Sequence, residues 1–216
     1  PYGVIFGPGY LKDPDGNIIH KDGLTQRDEE YRILGNYQPD WRGGFVLELG
    51  YKNLTLNTTI DGKFGGDVYS MTTTWGRYSG VLEETLLGRE NGLVGEGVKL
   101  AEDGVTYEQI DVVVSAKRYN QIAFDNTIAE GSVFDASYVK WREVILTYSL
   151  PSKWLASTFL KDVSLSFVGR NLAILYKNAP HIDPETAFTA TNAFLGMEFG
   201  QIPSTRSLGF NINVNF

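Results

Sequence analysis

From Leu208 to Phe216 the chain alternates without a fault. Leu208, Phe210, Ile212, Val214 and Phe216 take one side, and Gly209, Asn211, Asn213 and Asn215 take the other. A period of two marks an extended strand with a dry face and a wet face. The alternation recurs in four other places. Trp41, Phe45, Leu47, Leu49 and Tyr51 share a face, Lys52-Asn53 makes a tight turn, and Leu54, Leu56, Ile60 and Phe64 continue beyond it, so residues 41–64 read as a β-hairpin. A third strand runs from Tyr138 to about Leu150. Its phase slips at Arg142-Glu143: Val139 and Trp141 share one face, then Val144, Leu146, Tyr148 and Leu150 do, which predicts a β-bulge. In the fourth strand, Val163 to Asn171, the apolar Val163, Leu165 and Phe167 oppose Ser164, Ser166 and Arg170. The fifth is the closing strand, 207–216.

A pattern carried to a terminal aromatic fits an all-β fold of one kind, a transmembrane antiparallel β-barrel whose apolar face meets lipid and whose polar face meets a wet lumen. Trp41 and Tyr51 are ten residues apart, as are Tyr138 and Tyr148. Ten residues span about 33 Å of strand, which a barrel tilt reduces to about 25 Å, the height of the apolar band. These four residues are therefore expected at the two aromatic girdles. Aromatic pairs packed within a soluble sandwich are the competing reading.

The connections fix an orientation. Lys52-Asn53 and 151–162 are short, while 64–138 and 172–206 are long, and antiparallel strands put the short links on one side and the long ones on the other. Outer-membrane barrels keep short turns in the periplasm and long loops outside. Residues 1–40, 65–137 and 172–206 are accordingly expected as extracellular loop segments, 138–171 as two barrel strands with a short periplasmic turn, and Phe216 at the periplasmic rim. Residues 151–156 are expected to form one helical turn at that edge, with Trp154 at the interface. Five strands cannot close a barrel, since small ones need about eight, so further strands must pair with the open edges.

Composition narrows the class. No run of about 18 apolar residues is present, which removes a membrane-spanning helix and leaves a barrel untouched. Twenty-four Gly, 12 Tyr, 12 Phe and 4 Trp favour β structure with many turns. A net charge of −7 argues against a nucleic-acid partner. The absence of Cys excludes disulfides, thiolate metal sites and Cys nucleophiles. Pro1, with no initiator Met and no signal peptide, reads as the start of a processed chain or a fragment.

Candidate chemistry is thin. His20 and His181 stand outside any metal-binding pattern, and 181–185 reads as a solvated turn. Asp13, Asp15 and Asn17 mimic the start of a calcium loop, but the Gly comes one place early and Leu24 replaces the twelfth-position Glu, so a plain turn is expected. No catalytic residue, metal ligand or cofactor site is assigned, and the chain is read as a non-enzyme. For ligand binding the candidates are Trp75, Arg77 and Tyr78 in the longest loop, because aromatic faces suit sugar rings and guanidinium suits carboxylates. Packing of that loop against its neighbours or a lid is the plainer alternative. Arg170 and Asn171 are expected to order hydrogen bonds at the lumen or rim.

Ordered motifs carry a resemblance. Asp135-Ala136-Ser137-Tyr138-Val139-Lys140-Trp141-Arg142-Glu143-Val144-Ile145-Leu146-Thr147-Tyr148-Ser149-Leu150-Pro151 resembles the D-x-S-Y-V-K-L-R-x-V-x-L-S-Y-x-L-P signature of SusC/RagA-like TonB-dependent transporters of Bacteroidetes, with Trp141 where Leu is usual. Gly169-Arg170-Asn171-Leu172, Asp183-Pro184-Glu185 and the Pro203-to-Arg206 stretch match the family's later motifs in order. Upstream, Leu34 to Trp41, Gly43-Gly44-Phe45, Tyr51 to Leu54 and Gly65 to Tyr69 fit as well. The resemblance implies an N-terminal plug inside a barrel of about 22 strands, of which this chain supplies the C-terminal five. It implies location in the Gram-negative outer membrane, a SusD-like lipoprotein partner, and import of oligosaccharides or peptides with energy from the TonB complex, reached through N-terminal parts absent here. Phe210, Ile212, Val214 and Phe216 resemble the signal read by the barrel-assembly machinery. A passive porin or adhesin-type barrel and a soluble β-sandwich binding module are the alternative readings.

Overall fold

A computed structural model describes residues 3–125, 127–185 and 195–216, and over them the chain is mostly β. In chain order the elements are β1 (Val4–Tyr10), β2 (Ile19–Lys21), β3 (Leu24–Thr25), β4 (Arg27–Asn36), β5 (Trp41–Tyr51), β6 (Leu54–Phe64), β7 (Asp67–Ser70), α1 (Met71–Ser79), β8 (Val98–Leu100), β9 (Tyr107–Gln109), α2 (Ala116–Ala123), β10 (Val133–Asp135), β11 (Tyr138–Ser149), α3 (Ser152–Leu155), β12 (Asp162–Lys177), β13 (Met197–Glu198) and β14 (Ser207–Asn215). They fall into two compact units. One holds residues 1–38, 66–135 and 179–202, and the other holds 39–65, 136–178 and 203–216.

The second unit is one antiparallel sheet in the order β14-β12-β11-β6-β5. Its first hairpin pairs Tyr51 with Leu54 at the turn and Trp41 with Phe64 at the far end. Lys52 turns the corner at φ +53°. The Asn53 amide then donates to the Ser149 carbonyl at 2.7 Å and Ser149 N–H donates back to the Asn53 carbonyl at 2.9 Å, anchoring the turn on β11. The bulge lies where the alternation slips: the register of β11 shifts between Trp141 and Glu143 against both neighbours, leaving Arg142 as the extra residue. At the same level β12 kinks at Asn171, which takes φ +49°, a left-handed conformation that Asn tolerates better than most residues. The strand then continues to Lys177, six residues past the end expected from alternation.

The two faces of this sheet differ in chemistry. One face carries Phe45, Leu49, Leu56, Val144, Leu146, Leu165, Phe167, Leu208, Phe210 and Ile212, placed there by register. Most are exposed. Trp141 sits on this apolar face with its indole N–H donating to Thr58 Oγ1 at 2.7 Å, and Thr58 passes the bond on to the Glu143 carbonyl at 3.0 Å beside the bulge. A polar atom on a dry face is thereby satisfied within the sheet. The opposite face is predominantly polar, with Thr55, Asn57, Asp61, Glu143, Ser166, Asn211 and Asn213.

One girdle assignment is overturned. Tyr138 is 7% exposed and stands opposite Lys63 on the polar face, whereas Tyr51 is 70% exposed. Ten residues separate Tyr138 from Tyr148, but the extra residue Arg142 reverses the parity between them. The aromatic row at that end of the apolar face is instead Trp41, Phe64 and Tyr176, with successive ring centroids 5.8 and 6.3 Å apart.

The segments 1–40, 65–137 and 172–206, expected as loops, contain regular structure in their described parts; residues 186–194 lie outside the described residues. β1 and β4 form a hairpin. β2 and β3 form a smaller one around Asp22-Gly23, both at positive φ (+52° and +79°), the requirement of a type I′ turn that Asp-Gly meets. β8 adds parallel to β2 and pairs with β9. β10, β7 and β13 form a third small sheet. Helix α1 begins at Ser70, whose Oγ accepts from Thr73 N–H at 3.0 Å, and ends at Gly80 in the left-handed conformation. Tyr10, Val68, Tyr69, Ala116, Ala123 and Ile128 are buried in this unit.

Candidate functional site

Two surfaces carry concentrated chemistry, one in each unit. On the polar face of the sheet, Arg142 Nε pairs with Asp61 at 2.7 Å and Arg170 Nε with Glu143 at 2.8 Å. Thr147 and Ser166 exchange a hydrogen bond of 2.9 Å further along. Three cations gather around the ring of Tyr138: Lys140 Nζ at 5.2 Å, Lys63 Nζ at 5.7 Å and the Arg142 guanidinium at 5.8 Å from its centroid. A buried ring ordering three cations is a cation–π arrangement, and it turns this end of the polar face into a charged strip. Of these residues the sequence had singled out Arg170 for hydrogen bonding, Tyr138 as a girdle aromatic and Arg142-Glu143 as a bulge, but not the charged cluster they form. The missed signal is the i, i+2 charge spacing of Asp61 with Lys63 and of Lys140 with Arg142, which places each pair on one strand face. Asn171 turns out of the ladder and donates to the Thr205 carbonyl at 3.1 Å.

The second surface is built on α1. Trp75, Arg77 and Tyr78 lie on this helix and not in an extended loop. The segment holding the far side of the helix is fixed by Glu198, a buried carboxylate that accepts from Ser70 Oγ at 2.7 Å and Thr72 Oγ1 at 2.6 Å. Gly200 N–H donates to Thr72 Oγ1 at 2.8 Å, and these bonds bring Phe199 against Trp75, edge to face at 5.1 Å. Trp75, Phe199, Met71 and Val81 line an open, mostly apolar hollow of about 580 Å³. Tyr78 is exposed elsewhere on the helix.

Arg77 points the other way and serves packing. Its Nε pairs with Glu84 at 2.9 Å, Nη1 donates to the Gly131 carbonyl at 2.8 Å, and the guanidinium lies 4.5 and 5.4 Å from the ring centroids of Phe124 and Phe134. Glu84 also meets His181 Nε2 at 3.0 Å. Burial alone would raise the Glu84 carboxyl, but the Arg77 bond and the charges of His181 and Arg77 outweigh it and hold the pKa below its usual value. The three residues named together from the sequence thus separate into two exposed aromatics and one brace. Arg77→Ala is expected to cost about 2–3 kcal/mol through the uncompensated Glu84 and the lost ring contacts, while Trp75→Ala costs about 1 kcal/mol. Hydrogen exchange at the α1 amides would read the difference.

The Asp13–Asn17 stretch is a closed turn. Asn17 donates to both Asp13 carboxylate oxygens, from N–H at 2.8 Å and Nδ2 at 2.9 Å, and these bonds hold the Asp13 pKa below its usual value. At the end of the chain Phe210, Ile212, Val214 and Phe216 are all exposed, and Phe210 touches Phe167 edge-on at 5.6 Å.

No family model matches the chain. It is similar to TonB-dependent receptor P3 of Formosa agariphila, with 27% identity over 94% of this chain and 19% of the receptor. It is also similar to TonB-dependent receptor P26 of the same organism, with 25% identity over 95% of this chain and 20% of the receptor. The chain therefore spans about a fifth of the length of these relatives. Among solved structures, the RagAB peptide importer in its closed–closed state superposes with a TM-score of 0.63 at 19% identity, over 100% of this chain and 23% of that one. The open–open state gives 0.59 at 18% identity, over 99% and 22%. The solved structures speak to the fold alone, a two-faced barrel sheet. Sequence relatives and fold agree in likening the chain to part of a SusC/RagA-like TonB-dependent transporter.

Proposed function

We propose that the chain supplies the closing strands and adjoining surface loops of an outer-membrane active importer. Similarity to TonB-dependent receptors along 94% of the chain carries this reading, and the two-faced sheet supports it. An apolar face with Phe210 outermost suits lipid, and a face of hydroxyls, amides and ion pairs suits a wet lumen. Trp41, Tyr51 and Tyr148 stand at the lipid interfaces, joined by Phe64 and Tyr176. The outer edges of β5 and β14 pair with no strand among the described residues. Open edges are untenable in a bilayer, so they meet further strands of the same barrel, about 22 in all, around a plug that engages TonB. The long connections lie outside the cell and the Lys52-Asn53 and 151–162 links in the periplasm. Phe210, Ile212, Val214 and Phe216 present the signal read by the barrel-assembly machinery.

The cargo is an oligosaccharide or a peptide, received with a SusD-like lipoprotein, to which Trp75 and Tyr78 offer an aromatic surface. The RagAB complex is a peptide importer. Cells carrying the whole protein should accumulate labelled cargo only while the inner membrane is energised. A protonophore is expected to reduce uptake to background. Uptake that continues unchanged would replace this reading with a passive porin.

A further inference from the structure

Strand β14 is entered through Pro203-Ser204-Thr205-Arg206. Arg206 stands two residues before Leu208, so the period of two carries it onto the apolar face of the sheet. It is exposed, and it has no hydrogen bond or ion pair among the described residues. Two other polar groups on this face, the Trp141 indole and the Thr58 hydroxyl, are already satisfied within the sheet. The guanidinium is different: it brings a full charge, with no acid beside it, to a surface otherwise suited to hydrocarbon. Ser207 pairs with Arg170, so Arg206 lies level with Asn171, five residues of β12 inward from Tyr176. That is about 16 Å of strand from the aromatic row.

Arg206 lines a hollow of about 590 Å³ on the same face, with Leu56, Trp141, Phe167, Leu172 and Leu208. The volume falls within the range of about 300–1,000 Å³ typical of ligand pockets. Local backbone breaks shape it. The bulge at Arg142 and the left-handed kink at Asn171 interrupt neighbouring strands at one level. Gly169, opposite both Val144 and Leu208, gives the hollow a bare floor, and a Cβ there would meet the Leu172 and Leu208 methyls at 2.8 and 3.3 Å. All these residues belong to one compact unit.

We infer that the hollow seats an anionic membrane lipid, with a length of acyl chain against Trp141, Leu172 and Leu208 and the lipid phosphate paired with Arg206. A charge on a lipid-facing surface is costly unless it is paired or its stem carries it back towards the headgroups. Phosphate oxygens match the planar fork of a guanidinium, which donates two parallel bonds to them. An uncharged lipid would fill the hollow and leave the cation unopposed. Free phosphate would meet the cation and gain nothing from the apolar walls. The inference rests on the lipid-facing reading of this sheet and adds one preferred lipid at one position, apart from cargo and uptake.

The test uses the purified whole transporter, stripped of lipid in detergent, with native mass spectrometry counting bound lipid and heat-modifiable mobility confirming a folded barrel. The probes are dioleoylphosphatidic acid, dioleoylglycerol with the same chains and no phosphate, and inorganic phosphate with no chain. Dioleoylphosphatidic acid should bind about tenfold more tightly than dioleoylglycerol, the difference one charge-assisted contact makes. Arg206→Gln should remove that preference and leave dioleoylglycerol binding as it was. Ala173→Phe, which puts a ring into the hollow from its β12 wall, should weaken both lipids about tenfold and leave the barrel folded, because the new side chain is also apolar. Equal binding of the two lipids by the parent, a preference that survives Arg206→Gln, lipid binding unchanged in Ala173→Phe, or displacement of dioleoylphosphatidic acid by inorganic phosphate at about 10 mM, where a lone ionic contact stays mostly empty, would each overturn the inference. Should any of these occur while uptake still depends on the proton-motive force, the importer reading stands and the lipid seat alone is lost.

Discussion

Phe210→Arg is expected to destabilise the assembled barrel by about 2–4 kcal/mol if the residue lies near mid-membrane, and by less towards an interface. Phe210 is 85% exposed, stands opposite Phe167 in the register of β12 and β14, and has Leu208 and Ile212 as its neighbours on the same face. A charge there must leave the hydrocarbon or drag water into it, and the edge contact with Phe167, worth about 0.5–1.5 kcal/mol, is lost as well. Asn211 is the internal control. It is the next residue, faces Ser166 on the polar side, and Asn211→Arg should change stability by no more than about 0.5 kcal/mol. Urea titrations of the whole barrel in lipid vesicles, followed by heat-modifiable mobility on gels, would measure both. Equal effects of the two substitutions would remove the assignment of the faces and with it the lipid-exposed reading of the sheet.

The contrast between those neighbours was legible because period two is a property of long strands, and β5, β6 and β14 keep it for nine residues or more. The same rule failed wherever one residue broke the count. Arg142 is inserted without a partner, so Tyr138 and Tyr148 share a spacing but not a face. Asn171 at positive φ stops the alternation while the strand runs on to Lys177. Helix α1 was illegible for another reason. Its sequence, MTTTWGRYS, has three β-branched Thr and an internal Gly, all poor helix formers. The Ser70 cap, the Gly80 stop and the buried Glu198 carboxylate 126 residues away from Thr72 hold it in place, and only the first two are local signals. The folded character of the segments expected as loops has the same origin, since their strands are mostly two to four residues long and are fixed by side chains distant in sequence. The candidate site shares this limit: the aromatics of α1 were visible as residue types, but the role of Arg77 depends on Phe124 and Phe134, about fifty residues on.

Glu130→Gln should loosen the β1–β4 hairpin by about 2 kcal/mol and remove much of its sensitivity to acid. Glu130 opens a short 3-10 turn over Glu130–Ser132. Its carboxylate accepts from Lys12 Nζ at 2.5 Å, Arg32 Nη2 at 2.7 Å and Tyr10 N–H at 2.9 Å, and Arg32 Nη2 also donates to the Tyr10 carbonyl at 2.7 Å. One acid thus joins the end of β1, the middle of β4 and a turn some 120 residues away. Charge-assisted bonds of this kind contribute about 1.5–3 kcal/mol when shielded, and the partial exposure of all three side chains argues for the lower part of that range. Burial would raise the carboxyl pKa, but the bonds from Lys12, Tyr10 and Arg32 outweigh it and hold it below the usual carboxylate range. A pKa depressed by folding contributes stability that is complete above the unfolded value, near 4.5, and is lost as the pH falls through the lower folded value. Amides of β1 and β4 should therefore lose protection below about pH 4.5 in the parent protein, after correction for intrinsic exchange rates. In Glu130→Gln the protection should already be low at pH 7 and fall little further. If the parent and the variant lose protection in parallel on acidification, Glu130 is not the group that ties these segments together.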